Sequence, residues 1–160
     1  MILYHGSYMN IETIDLSKSK PNKDFGRGFY LTADRQQALA MAKLKAGIMG
    51  TEPVVNAYEL DDDLLTNGKY KVKRFDDYSK DWAEFVFRNR SRDESANSHD
   101  YDIVTGPIAN DRVGVQIRRF MEKEITFDIF IERLKYMKGM TTQYFFGTKR
   151  AIDELHKINL

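Results

Sequence analysis

Strand-like apolar runs are scattered among helical patterns at irregular intervals, and that irregularity most restricts what the chain can fold into. A regular strand–helix–strand period would build a parallel doubly wound sheet, whereas scattered short strands with interspersed helices build an α+β fold. Strand patterns cover residues 2–5, 29–32, 54–60, 70–75, 101–105 and 143–146. Between them, Thr32 or Asp34 can cap a helix that runs through Ala46, with Leu39, Ala42 and Ala46 on one face and Gly47 as its stop. Residues 80–90 place Trp82, Phe85 and Val86 at the spacing of a buried helical face. Further helices are expected over 112–121 and 127–137, and a last one from Thr148 through Ile152, Leu155 and His156. The polar stretch 89–100 reads as an exposed loop. No repeat or low-complexity tract divides the chain, so one domain over 1–160 is expected.

Composition removes several chemistries. There is no cysteine, which excludes disulfides, thiolate nucleophiles and thiolate metal sites. Three histidines are too few for a convincing multi-histidine metal centre. The 25 basic and 24 acidic residues leave a formal charge of +1, without the footprint of a dedicated nucleic-acid binder. No stretch approaches the ~18 consecutive apolar residues of a membrane span, and the first residues lack a basic leader. A cytosolic address and no membrane partner are therefore expected.

Three segments carry polar or aromatic groups that packing alone does not demand. Tyr4-His5-Gly6-Ser7 closes the first strand with an imidazole, a small residue and a hydroxyl. A glycine there lets a ligand approach main-chain N–H and C=O groups. Phe25-Gly26-Arg27-Gly28-Phe29-Tyr30-Leu31-Thr32 sets an arginine between glycines and an aromatic pair at a strand start. These glycines precede a strand, so a Rossmann fingerprint fails. The arginine suits a phosphate or carboxylate, and the aromatic suits a flat ring. The third segment, Thr142-Gln143-Tyr144-Phe145-Phe146-Gly147-Thr148, is a core strand with a polar residue near its start.

Together, the His-Gly-Ser and Phe-Gly-Arg-Gly-Phe-Tyr-Leu-Thr-Ala-Asp segments resemble the ADP-ribosyltransferase superfamily, in the histidine–tyrosine–glutamate branch of diphtheria toxin and the poly(ADP-ribose) polymerases. In the polymerases the segments read His-Gly-Ser and Phe-Gly-Lys-Gly-Ile-Tyr-Phe-Ala-Asp. Over nearly its full length, including residues 99–104 and 106–109, the chain also resembles a compact bacterial and phage family of uncharacterised domains assigned to that superfamily. The resemblance implies split antiparallel sheets flanking an NAD cleft. It implies that His5 bonds the nicotinamide-side ribose, that Gly6 pairs its backbone with the nicotinamide amide and that Ser7 assists. Tyr30 would stack on the nicotinamide, and Arg27 would meet phosphates or the acceptor side. NAD is then the substrate, and the reaction is transfer of one ADP-ribose unit by a toxin or effector, with a protein acceptor favoured and an antitoxin as a possible partner.

The position of the superfamily's catalytic glutamate is best matched by Gln143. A glutamine keeps the hydrogen bond but supplies no charge to steady a developing cation. Single transfer, NAD hydrolysis and binding without turnover all stay open; polymer synthesis is set aside.

Other residues have plainer readings. Asn89 and Arg90 end a helix and could line the cleft. Asp102 and Asp111 flank a buried strand and the loop after it, with helix capping a sufficient role for Asp111. Asp61-Asp62-Asp63 lacks the alternate spacing of a calcium loop and reads as a solvated turn. His99 and His156 have no nearby nucleophile to activate.

Overall fold

The computed structural model describes residues 1–90, 99–137 and 141–160. Among them seven strands form one sheet: β1 (Ile2–Ser7), β2 (Phe29–Thr32), β3 (Val54–Glu59), β4 (Val72–Arg74), β5 (Ile103–Pro107), β6 (Thr142–Phe146) and β7 (His156–Ile158). They lie in the order β4-β5-β6-β2-β1-β3-β7, antiparallel throughout except for β4 beside β5. The helices are α1 (Arg35–Met49), α2 (Lys80–Arg90), α3 (Asp111–Met121), α4 (Phe127–Lys135) and the short α5 (Lys149–Ile152). The class is α+β, as the scattered pattern requires.

The centre of the sheet is nearly open. β1 pairs with β3 along its whole length, from Ile2 opposite Glu59 to Ser7 opposite Val54. With β2 it shares a single register pair, Tyr4 opposite Thr32. The expected pair of antiparallel sheets is thus one mixed sheet whose two halves, β3–β1 and β2–β6, meet at one narrow joint.

Side-chain alternation with period 2 sends successive residues to two separate cores. On β2, Phe29 and Leu31 enter one core with Leu3, Tyr58 and Ile152, while Tyr30 packs against the other. On β6, Phe145 and Phe146 divide in the same way. The Phe145 side is covered by Trp82 and Val86 of α2, Val113 and Ile117 of α3, and Phe130 and Leu134 of α4.

Several boundaries differ from the sequence reading: β1 runs on through Gly6 and Ser7, and the strand expected over 101–105 is shifted to Ile103–Pro107. Helix α1 passes through Gly47 and stops at Gly50, which holds φ 68° and donates its N–H to the Ala46 carbonyl. Two glycines were available, and the left-handed cap falls on the one beyond the last apolar turn. Asp34 supplies the N-cap, accepting from Gln36 and Gln37. The last helix ends at Ile152, and His156–Ile158 instead forms β7 on the outer edge of β3. Ile152 and Leu155 stay buried in either form, so their spacing could not decide between helix and strand; an unpaired β3 edge favours the strand. The strand expected over 70–75 shortens to Val72–Arg74. Most of the polar stretch 89–100 lies outside the described residues; Asn89 and Arg90 close α2.

Candidate functional site

The three singled-out segments lie on β1, β2 and β6, which are consecutive in the sheet. Thr32 faces Tyr4 on one side and Gln143 on the other, so the segments meet across its centre.

His5 stands at the nearly open seam. Its Nδ1 donates to the main-chain carbonyl of Tyr30 at 2.7 Å, tying β1 to β2 where their backbones no longer pair. The ring stacks on Phe29 with centroids 4.5 Å apart. Its Nε2 faces Lys45 Nζ at 3.4 Å and, with Nδ1 carrying the proton, acts as an acceptor. Burial, then the charge of Lys45, lowers the His5 pKa to about 4, against the opposing pull of the Tyr30 carbonyl. At neutral pH His5 is an uncharged hydrogen-bonding group.

At Gly6 the backbone of α1 lies directly against β1. A Cβ there would lie 2.0 Å from the Ala38 carbonyl oxygen and 2.7 Å from the Ala42 nitrogen. The Gly6 carbonyl accepts from Lys45 Nζ at 2.7 Å. Ser7 is buried, and its hydroxyl accepts from Met9 N–H at 3.4 Å, closing the turn after β1.

Tyr30 is pinned at its hydroxyl, which donates to the Gly26 carbonyl at 2.6 Å and accepts from Phe25 N–H at 3.0 Å. Burial drives its pKa well above the ordinary phenol value. Its ring packs edge-on to Phe145, and the Lys23 ammonium sits 4.9 Å from its centroid. Arg27 is exposed and clamps its own loop, donating to the Ser19 carbonyl at 2.6 Å and to that of Ser17 at 3.5 Å.

Gln143 is buried, and its amide nitrogen donates to Asp24 Oδ2 at 2.8 Å and to the Pro107 carbonyl at 3.4 Å. Both N–H bonds point away from its carbonyl oxygen, which is left as an acceptor. Asp24 is the residue that sequence reasoning missed. Only 8% exposed, it ties its own loop to three distant parts of the chain. Oδ1 accepts from Arg90 Nε at 2.8 Å, and Oδ2 accepts from Ala109 N–H at 3.0 Å as well as from Gln143. A glutamate at 143 would set a second carboxylate against Asp24, an arrangement that like-charge repulsion disfavours. The one signal in the sequence was an acid directly before Phe25-Gly26, with no partner nearby in the chain to give it meaning.

The remaining candidates have local tasks. Asn89 donates to the Phe85 carbonyl one turn back at 2.7 Å. Asn110 caps α3, and Asp111 occupies its first turn. His99 bonds the Phe25 carbonyl through Nε2 at 2.7 Å and accepts from Tyr101 N–H at 3.1 Å. His156 faces Glu59 across β3 and β7 and is exposed. Asp61 caps a single 3-10 turn at 62–65. Asp102 accepts from Thr148, Arg150 and Lys71 N–H, and the Arg150 guanidinium holds its pKa down to about 2. Two surface grooves, of about 280 and 380 Å³, lie beside α3 and are not lined by His5, Tyr30 or Gln143.

These shifts set an acid limb of stability. His5 falls from 6.5 to about 4 on folding, so the unfolded chain takes up the proton first as pH drops. The stability present above pH 6.5 is lost on the way to pH 4, a change of about 3 kcal/mol at most. Asp102 acts lower, between 3.8 and about 2. Burial lowers the His99 pKa as well, so it contributes to the same upper limb. We expect urea titrations across pH to show a two-step decline, and His5→Gln to reduce the step above pH 4 while sparing the lower one. An unchanged upper step would show that His5 does not supply it and is not held neutral by the fold.

An α+β protein with one mixed sheet, nearly open between β1 and β2 and with a histidine and a tyrosine joined across the opening, is what fold and site define. The chain belongs to the family described as Protein of unknown function (DUF3990), whose model matches residues 1–157. No curated protein and no solved structure matches it. No described helix is long and apolar enough to cross a membrane.

Proposed function

We propose that the chain transfers one ADP-ribose unit from NAD to an acceptor and releases nicotinamide. The observation that carries this reading is the meeting of the three segments on adjacent strands, with His5 bonded to Tyr30 in the opening between β1 and β2. An opening bordered by an aromatic ring, main-chain groups of Gly6 and a neutral imidazole suits a flat amide-bearing ring on a ribose. Cleavage of the nicotinamide–ribose bond develops positive charge on the sugar, as in glycoside hydrolysis. The Gln143 carbonyl oxygen supplies an acceptor for a ribose hydroxyl. Asp24, bonded to the same amide, pulls electron density toward that oxygen through the hydrogen-bond chain. Thus part of a carboxylate's electrostatic effect reaches position 143 without a glutamate there. A protein acceptor, a cytosolic setting, a role as a bacterial or phage toxin or effector and a neutralising partner protein belong to the same reading.

Incubation with NAD labelled in the adenylate half, in the presence of cell lysate, tests it. Labelled macromolecule is expected. Nicotinamide released without labelled macromolecule would make the chain a glycohydrolase. If neither appears but NAD raises Tm, the chain is a silent binding module. Millimolar NAD is expected to raise the wild-type Tm, because a ligand of the native state stabilises it. His5→Ala and Tyr30→Ala are each expected to abolish that rise. A rise that survives both changes would remove the seam from the binding site.

A further inference from the structure

Lys45 reaches from α1 into the seam and meets only neutral partners there, the Gly6 carbonyl at 2.7 Å and His5 Nε2 at 3.4 Å. It is half-buried and forms no ion pair among the described residues. Lys23, in the loop before β2, holds its ammonium beside Tyr30 and also lacks an ion pair among the described residues. The nearest acid in sequence, Asp24, is already engaged by Arg90, Gln143 and Ala109. Arg27, the cation expected to meet phosphates, donates to loop carbonyls instead.

A cation drawn partly out of water is normally paired. Here one such cation, Lys45, feels the charge of a second of the same sign, Lys23. The Lys23 ammonium lies over the Tyr30 ring, while Lys45 reaches His5, which is bonded to the Tyr30 carbonyl. The Lys45 pKa falls to about 8, first through burial and then through Lys23. The arrangement lacks an anion. An ammonium has three N–H donors, and Lys45 uses two of them on Gly6 and His5. The third is available to an oxyanion, and lysine serves phosphate well as a point charge.

We propose that Lys45 and Lys23 form a phosphate subsite at the β1–β2 seam, taking the diphosphate of a dinucleotide. The identity of the dinucleotide rests on the NAD reading; the need for an anion rests on the two lysines. The titratable groups that act on Lys45 are His5, in contact from β1, and Lys23, through its charge from the loop, so a bound diphosphate is held by the charged form of Lys45. Affinity for the anion therefore falls as pH rises through about 8.

Calorimetric titration with pyrophosphate, ADP-ribose and nicotinamide tests the subsite on wild type, Lys45→Met, Lys23→Met and Lys45→Arg. Pyrophosphate and ADP-ribose are expected to weaken by about tenfold in Lys45→Met and by less in Lys23→Met, with Lys45→Arg close to wild type. Nicotinamide, which carries no phosphate, is expected to bind all four alike. Pyrophosphate that fails to bind at millimolar concentration, or binds every variant equally, overturns the subsite. Lysine-dependent pyrophosphate binding, with no gain for ADP-ribose and no nicotinamide binding, keeps the subsite and sinks the NAD reading. Should Lys45→Met not fold, the Lys45 side-chain titration in the wild type decides. Pyrophosphate raises its midpoint if the subsite is real, and an unmoved midpoint refutes it.

Discussion

Gly6→Ala is expected to lower the unfolding free energy by about 3 kcal/mol, the upper part of the usual overpacking range. The added methyl would meet the Ala38 carbonyl oxygen at 2.0 Å and the Ala42 nitrogen at 2.7 Å. Both atoms belong to the backbone of α1, so no side-chain rotation relieves the clash, and the helix must move off the strand. That movement would carry Lys45 away from the Gly6 carbonyl and disturb the seam. For a chain of this length such a loss is a fall in Tm of roughly 6–12 °C. Gly47→Ala, two turns along the exposed side of α1, is the matching control. Its added methyl meets nothing within 4 Å, and it is expected to stabilise by about 0.5–1 kcal/mol through helix propensity. Thermal melts of the two variants should therefore shift in opposite directions. A Gly6→Ala protein that melts with the wild type would show that α1 does not rest on β1 as described.

The same helix shows how far sequence reasoning reaches. The existence of α1 and its Asp34 cap follow from local residues, and so does the α2 face of Trp82, Phe85 and Val86. These are short-range properties, decided within one or two turns. The end of α1 was misplaced because Gly47 and Gly50 are equivalent locally, and only the backbone conformation tells them apart. The β7 strand was missed for a related reason. Three residues without a clear period become a strand because β3 offers them an edge.

At the site, glycines and aromatics marked the segments around His5, Gly6 and Tyr30, but the end of the first strand was placed too early: β1 runs on through Gly6 and Ser7, paired with β3. Lys45 was not legible, since a lysine in an alanine-rich helix reads as a solvated side chain until β1 is packed beneath it. The opening itself was equally hidden: it depends on a register in which β1 matches β3 at every residue and β2 at only one.

Asp24 is the extreme case, and its removal is the other large expected effect. Asp24→Ala is expected to cost about 3 kcal/mol, the low end for breaking a buried ion pair because Arg90 keeps part of its side chain in water. The carboxylate accepts from residues 90, 109 and 143 at once. The change therefore leaves the Ala109 N–H without its acceptor, and the Arg90 guanidinium with the Ala109 carbonyl but no counter-charge. It also removes the shorter of the two bonds that orient the Gln143 amide, leaving the 3.4 Å bond to the Pro107 carbonyl. Asp24→Asn preserves the shape and one oxygen acceptor but turns an amide toward Arg90, so an intermediate loss is expected. Replacing both partners, as Asp24→Ala with Arg90→Met, removes the unpaired charge along with the pair and should be less harmful than the two single effects summed. A coupling of about 1–3 kcal/mol in that cycle is the expected result. Strict additivity in urea melts would mean that Arg90 and Asp24 do not support each other. In that event Gln143 would owe its orientation to its own bonds to Asp24 Oδ2 and the Pro107 carbonyl, and not to the ion pair beside them.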